Sequence, residues 1–323
     1  MNNIFLYLLG AGASCQVLPL ASEFANRLAS FADDLREAGP KSIYNESNAP
    51  PDDPIWGKNR DNLLDAIDWL AAESSHHFSV DTFAKKLFFR GDLQNLKRLK
   101  AVLSAYLVIE QSRHHVDQRY DAFFASVLGF DESRCVSLPQ HLRIFTWNYD
   151  TQLEKAFYGF CGNEDMVIKD LTFNKHVYRI NGRCGTHPPG HIGKSYCAVW
   201  NTVNQAAWEE GISLYKEYLE PSSPESEISF AWENPTHNQL KNVGLKLLSG
   251  VSVIVVIGYS FPYFNREIDN LFFKQLNNVH RIYLQYPEGV HASIEERLKG
   301  LLSHNVEIIR VTGTDLFYIP DDF

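Results

Sequence analysis

Several things are scarce in this sequence, and each scarcity excludes something. No apolar run reaches the ~18 residues that a membrane helix needs. The longest, over residues 251–257, has the length of a strand. The opening stretch MNNIFLYLLGAGAS has no basic n-region, and its short apolar run ends in glycines that a fold would use, so it does not read as a secretory signal. Cysteines number five, an odd count, and no C-x-x-C pair occurs. That argues against a disulfide framework and against a structural zinc module, and a reducing compartment, the cytoplasm, is expected. Basic residues are outnumbered, 30 Lys and Arg against 39 Asp and Glu, for a formal charge of −9. A chain so charged is not built to coat nucleic acid, because phosphate binding relies on clustered cations. The one local basic run, Lys85, Lys86, Arg90, Lys97, Arg98 and Lys100, reads most simply as a solvated helix face. No internal repeat is present.

What remains is ample for a large core: 323 residues, of which 45% are hydrophobic. Residues 4–9 (IFLYLL) form a short apolar run, GAGAS follows, and a helix is expected to start near Ser14 or Leu20 and to continue through ASEFANRLASFADDL. Strand, glycine turn, helix is the opening unit of a doubly wound fold. Residues 39–60, rich in Pro, Asn and Asp, read as a long surface loop. From residue 61 to about 128 apolar positions recur at spacings of three and four, the helical period, and Ser79 or Asp81 is placed to cap one of these helices. Strand patterns return at residues 142–150 (LRIFTWNYD), 176–182 (HVYRING), 251–260 (VSVIVVIGYS), 281–287 (RIYLQYP) and 306–313 (VEIIRVTG). The unbroken apolar character of VSVIVVI suits a central parallel strand covered on both faces. The expected architecture is therefore α/β, a Rossmann-like, doubly wound, mostly parallel sheet formed by residues 1–38 and 139–323, with residues 39–138 as a helical insertion.

The ends of the predicted strands share a chemistry. Gly10-Ala11-Gly12, Asn148-Tyr149-Asp150, Asn181-Gly182, Gly258-Tyr259-Ser260 and Gln285-Tyr286-Pro287 each follow an apolar run. In an open parallel sheet such carboxyl ends form the ligand crevice, so five segments are expected to converge on one site. In Gly10-Ala11-Gly12-Ala13-Ser14 the glycines permit close backbone approach to a phosphate, and a following helix N-terminus would supply N–H donors. The full G-x-G-x-x-G pattern is not met, because position 15 is Cys15. Asn148 and Asp150 have the groups to hold ribose hydroxyls or a water, and are equally suited to cap a helix. Ser260 after Gly258, with Asp269 further on, suits a ribose or phosphate oxygen, or an ordinary strand-to-loop turn. His76, His77, His114 and His115 read as surface residues. His187 and His191 lie near Cys184 and Cys197 at a spacing that matches no common ligand set, and no metal is expected. Phe88, Phe89, Phe123, Phe124, Phe272 and Phe273 read as core.

Taken in order, GAGAS with Leu18-Pro19, FTWNYD, the strand ending Asn181-Gly182, and VIGYSFPYFNREID resemble the SIR2-like family over roughly residues 4–30 and 140–320. Lacking a cysteine zinc module, the chain resembles the bacterial anti-phage members rather than the deacetylases. The resemblance implies an NADase that cleaves NAD+ to nicotinamide and ADP-ribose, and that is activated by a partner subunit encoded nearby or by oligomerisation, with no direct nucleic acid or membrane contact. It places Gly10, Ala11, Gly12, Ala13 and Ser14 at the pyrophosphate. Gly258, Tyr259 and Ser260 fall at the ribose pocket with Asp269. Asn148, Asp150 and Asn181 fall at the reacting centre. One departure stands out: the family has His-Gly where this chain has Asn181-Gly182, and an amide cannot take a proton near neutral pH. The chain is then a non-catalytic binder of NAD+, ADP-ribose or another nucleotide that regulates a partner, or an engineered or trapped variant, or His176 or His187 assumes the role.

Overall fold

The computed structural model describes residues 3–37, 54–167, 171, 176–185, 204–221, 226–233, 238 and 240–323. Its centre is a sheet of six parallel strands: β1 (Phe5–Leu9), β4 (Leu142–Thr146), β5 (Val177–Arg179), β6 (Val253–Ile257), β7 (Arg281–Gln285) and β8 (Glu307–Val311). Two-residue strands β2 (Gly129–Phe130) and β3 (Val136–Ser137) pair antiparallel in a separate hairpin. The order across the sheet is β5-β4-β1-β6-β7-β8. The chain moves outward one way from β1 and then returns to move outward the other way from β6. The order reverses between those two strands, and at that switch point the crevice of a doubly wound sheet opens. The expected α/β, Rossmann-like architecture is the observed one.

Alternation along each strand divides the core into two layers. Phe5, Tyr7 and Leu9 face one side with Val253, Val255 and Ile257, while Leu6 and Leu8 face the other with Ile254 and Val256. All five residues of β6 are buried. At ~1.5–3 kcal/mol per fully buried aliphatic side chain, this strand needs helices on both faces. The second layer is closed by α8 (Arg266–Phe273) and α9 (His291–Lys299).

The first layer is covered by α1 (Phe24–Glu37), α2 (Pro54–Ser75), α3 (Val80–Phe89), α4 (Leu93–Ser112), α5 (Gln118–Val127), α6 (Gln152–Cys161) and α7 (Asn204–Leu219). The helical insertion thus shares one continuous core with the sheet. Helix α4 is buried along most of its length, and α7, from the far side of β5, packs against it. Gly211 of α7 makes that approach possible, since a Cβ there would collide with the Ile109 side chain.

Several expectations need correction. Residues 54–60 are not loop but the first turns of α2, which opens on Pro54, a residue suited to the first helical position; residues 39–53 lie outside the described residues. Helix α1 begins at Phe24 rather than near Ser14 or Leu20. Phe88 and Phe89 are exposed, whereas Phe123, Phe124, Phe272 and Phe273 are buried as expected. The basic run is split between α3 and α4 instead of forming one face. Arg98 stacks over Trp69 and Lys100 pairs with Glu233. His77 is half-buried against the Phe83 ring, while His76, His114 and His115 are exposed. Ser79 caps α3, accepting from the Thr82 N–H while Thr82 reciprocates. His187, His191 and Cys197 lie outside the described residues. Among the described residues no helix is long and apolar enough to cross a membrane.

Candidate functional site

The C-terminal ends of β1, β4, β5 and β6 open into one cleft of about 1080 Å³, its mouth included. It is lined by Ala11, Ser14, Asn148, Tyr149, Asp150, Asn181, Gly258, Tyr259 and Ser260, so four of the five expected segments meet there. The fifth does not. Gln285 turns its amide to the carbonyls of Gly313 and Leu316, and Tyr286 reaches the cleft only indirectly, its hydroxyl donating to the Tyr259 carbonyl.

The glycine turn differs from expectation in what its glycines do. Gly258 has φ +65°, and a Cβ on Gly12 would stand 2.7 Å from the Gly258 Cα, so the two segments lie backbone against backbone. The Gly12 N–H donates to the Gly258 carbonyl at 3.2 Å, that of Gly10 to Ile257 at 3.0 Å, and that of Ala13 to Gly10 at 2.8 Å. Residues Ala11–Ser14 form a 3₁₀ turn, not the start of α1. Three of the N–H groups assigned to a pyrophosphate are thus spent within the fold, two on joining β1 to β6 and one inside the turn. Ala11 and Ser14 face the cleft, whereas Gly10, Gly12 and Ala13 lie behind it. From beneath, Arg119 of α5 donates to the carbonyls of Gly12 and Ala13, both at 3.1 Å, while pairing with buried Asp117 at 2.6 Å.

At the end of β4 the Asn148 amide donates to Ser14 Oγ at 3.2 Å, and Ser14 Oγ meets the Tyr120 hydroxyl at 3.1 Å. Asp150 serves in part as the cap that its position allowed, accepting from the Gln152 N–H at 3.0 Å at the start of α6. Burial pushes the Asp150 carboxyl up, opposed by that N–H, the Arg179 guanidinium and the Ser14 hydroxyl. Arg179 binds the carbonyls of Asn148 and Asp150 and a carboxylate oxygen of Glu154, so β5 fixes the shape of the β4 end.

Asn181 faces the cleft with its amide already engaged. Its Nδ2 donates to the Trp147 carbonyl at 3.1 Å, and its Oδ1 accepts from the Ala231 N–H at 3.0 Å. It is a brace between β4 and the segment crossing above it. His176 cannot replace a histidine here. It sits at the opposite end of β5, bonded to the Leu142 carbonyl, and no histidine lines the cleft among the described residues. Asp269 also lies outside the cleft. It is buried behind Tyr259, which donates to it at 2.9 Å. Burial raises its carboxyl to about 7, and its second oxygen has no partner, as suits a protonated acid. Ser260 is exposed at the lip, its carbonyl held by Arg297 at 2.9 Å, and the next residue, Phe261, takes a left-handed φ of 47°.

Several contacts at the cleft carried no local signal. Asp81, at the start of α3, accepts from the Tyr149 hydroxyl at 2.6 Å. Trp147 and Tyr259 stack at 4.9 Å with their rings nearly parallel. The apolar walls come from Phe24, Leu103, Leu107, Phe78 and Phe264. No group of His, Cys, Asp or Glu that could hold a metal occurs among the described residues.

Compared with known protein families, curated proteins and solved structures, the chain matches none.

Proposed function

We propose that this cleft binds NAD+ and hydrolyses it to nicotinamide and ADP-ribose, and that the protein is a SIR2-like effector of bacterial anti-phage defence switched on by a partner subunit or by oligomerisation. The observation that carries the reading is the position of the cleft. It lies where the strand order reverses, between a glycine turn and a paired Asn148 and Asp150, where doubly wound sheets take dinucleotides.

Breaking the bond between ribose C1′ and the pyridinium nitrogen sends the bonding electrons to nicotinamide and leaves oxocarbenium character on the sugar. A site for this step must fix the ribose, exclude bulk water and place one water against C1′. Asn148, held through its Nδ2 by Ser14, keeps Oδ1 for a ribose hydroxyl or that water. Asp150, raised by burial, is the better proton acceptor for it and takes the place of the family's histidine.

One observation favours a second reading, a catalytically degenerate subunit that binds NAD+, ADP-ribose or another nucleotide and regulates a partner. The Asn181 amide is consumed by backbone groups, so that position contributes no base.

The test is NAD+ consumption by the purified protein, alone and with the product of its neighbouring gene, beside Asn148→Ala and Asn181→His. The effector reading expects turnover with the partner and a loss of ~10²-fold or more in Asn148→Ala with the fold intact. Turnover only in Asn181→His, or binding without turnover, supports the regulatory subunit. No binding of NAD+, ADP-ribose or any other nucleotide ends both readings.

A further inference from the structure

The charges around the cleft are unbalanced. Its lining among the described residues includes two carboxylates, Asp81 and Asp150, and no Lys, Arg or His. The two acids are not equivalent. Asp150 lies beside the buried Arg179 guanidinium, which offsets its charge. Asp81 has no ion pair among the described residues, and its recorded side-chain partner is the neutral Tyr149 hydroxyl at 2.6 Å. The nearest lysine on its own helix, Lys85, directs its ammonium to the Phe264 carbonyl at 3.4 Å. Burial pushes the Asp81 carboxyl up, opposed by the Tyr149 hydroxyl and its own backbone N–H, and its place in the first turn of α3, where the helix macrodipole favours a negative charge, acts with them.

Around Asp81 the cleft is aromatic. Tyr149 holds the carboxylate, Trp147 and Tyr259 form a stacked pair, Phe264 lies opposite, and Phe78 stands 79% exposed at the rim. A carboxylate without a cation beside flat ring faces attracts a cation, and in a cleft read as a nucleotide site the cation that can also stack is a planar ring bearing a delocalised positive charge. The same surroundings repel a phosphate, which would have to be held by the glycine-turn side.

We propose that Asp81, contributed by the helical insertion, is a specificity-determining residue that makes this end of the cleft a subsite for a cationic aromatic ring, so that an oxidised, pyridinium-bearing nucleotide is selected over its reduced, neutral-ring counterpart. This rests on the nucleotide-binding reading and adds the basis of its selectivity. It also assigns the insertion a chemical role, because α3 supplies the charge that the sheet does not.

Calorimetric titration with four probes tests it: NAD+, NADH, the 1-methylnicotinamide cation and neutral nicotinamide. The expected result is an affinity for each cationic ring about tenfold above that for its neutral partner. In Asp81→Asn that ratio falls to within about threefold while NADH affinity holds. Equal affinity of the natural protein for NAD+ and NADH overturns the selectivity and leaves the nucleotide-binding reading standing. Failure of all four probes to bind removes the subsite, and failure of ADP-ribose and other nucleotides in the same titration removes the nucleotide-binding reading as well. The comparison of charged with neutral rings on the natural protein decides whether the subsite exists, and if Asp81→Asn does not fold, Asp81→Glu, which keeps the charge and is expected to keep the preference, is compared with Tyr149→Phe, which removes the bond that holds the carboxylate and is expected to weaken it. A variant that folds and keeps the full preference overturns the role of Asp81.

Discussion

Along the wall where β1 meets β6, main chain lies directly on main chain. Gly12 and Gly258 touch because neither has a side chain, and their peptide groups join the two strand ends. Across the cleft the end of β4 also has main-chain bonds, Trp147 N–H to Leu9 at 3.0 Å and Cys184 N–H to Tyr149 at 2.7 Å, but no pair of glycines in contact. There the chain is fixed by side chains reaching from distant segments: Tyr149 to Asp81, Asn148 to Ser14 and on to Tyr120, Arg179 to the carbonyls of Asn148 and Asp150. The first wall tolerates almost no added atom, whereas the second distributes its stability over several bonds, each worth ~1 kcal/mol net.

The contrast can be broken most directly at Gly258. Gly258→Val sets a branched side chain at φ +65° and against the Gly12 backbone. It is expected to cost about 4 kcal/mol or more, read as a large fall in the urea midpoint or as insoluble protein. A variant as stable as the natural chain would show that the two segments do not pack as described. Arg119→Met tests the link between walls. It removes the guanidinium under the glycine turn and leaves Asp117 buried without its partner, an expected loss of about 3 kcal/mol in chemical denaturation.

Asp269 sharpens the comparison through pH, because it lies behind the close-packed wall. Its carboxyl is raised from the ordinary 3.8 to about 7 by burial. The folded state therefore keeps a proton that the unfolded chain has released. The resulting stabilisation is complete below the unfolded value and is lost as pH rises toward about 7. Between pH 5 and pH 8 the natural protein should lose about 3 kcal/mol through this group. In Asp269→Asn that part of the fall should vanish, and identical pH profiles would mean the acid is already ionised in the fold. The smallest effect is expected on the bonded wall. Tyr120→Phe removes one hydroxyl contact to Ser14 and should cost about 1 kcal/mol in the same assay, with the cleft otherwise intact.

Much of the frame was legible because it follows from periodicity. Strand β6 reads as a central strand from VSVIVVI, and the polar residues after each apolar run marked where the cleft opens. Gly10, Gly12 and Gly258 were legible as positions that forbid a side chain. Their reason was not, since sequence cannot distinguish room left for a phosphate from room left for another main chain. Asp81 and Tyr149 are 68 residues apart, and Ser14 and Tyr120 are 106 apart. No local pattern announces such pairs. Asp269 carried the signature of a site residue, an acid shortly after a glycine turn, yet the pitch of α8 turns it behind Tyr259.

By itself, then, the sequence determined what short-range physics controls: strand period, helical faces, the capping of α3 by Ser79, and the glycine positions where strands end. Tertiary structure alone decided which polar groups face the cleft and which are consumed by the fold. Each buried donor and acceptor must find a partner, and the partner it finds depends on which distant segments the sheet brings together. That is why the Asn181 amide is a brace, why the Gly12 N–H serves Gly258, and why an aspartate of the insertion lines a cleft that the strand ends open.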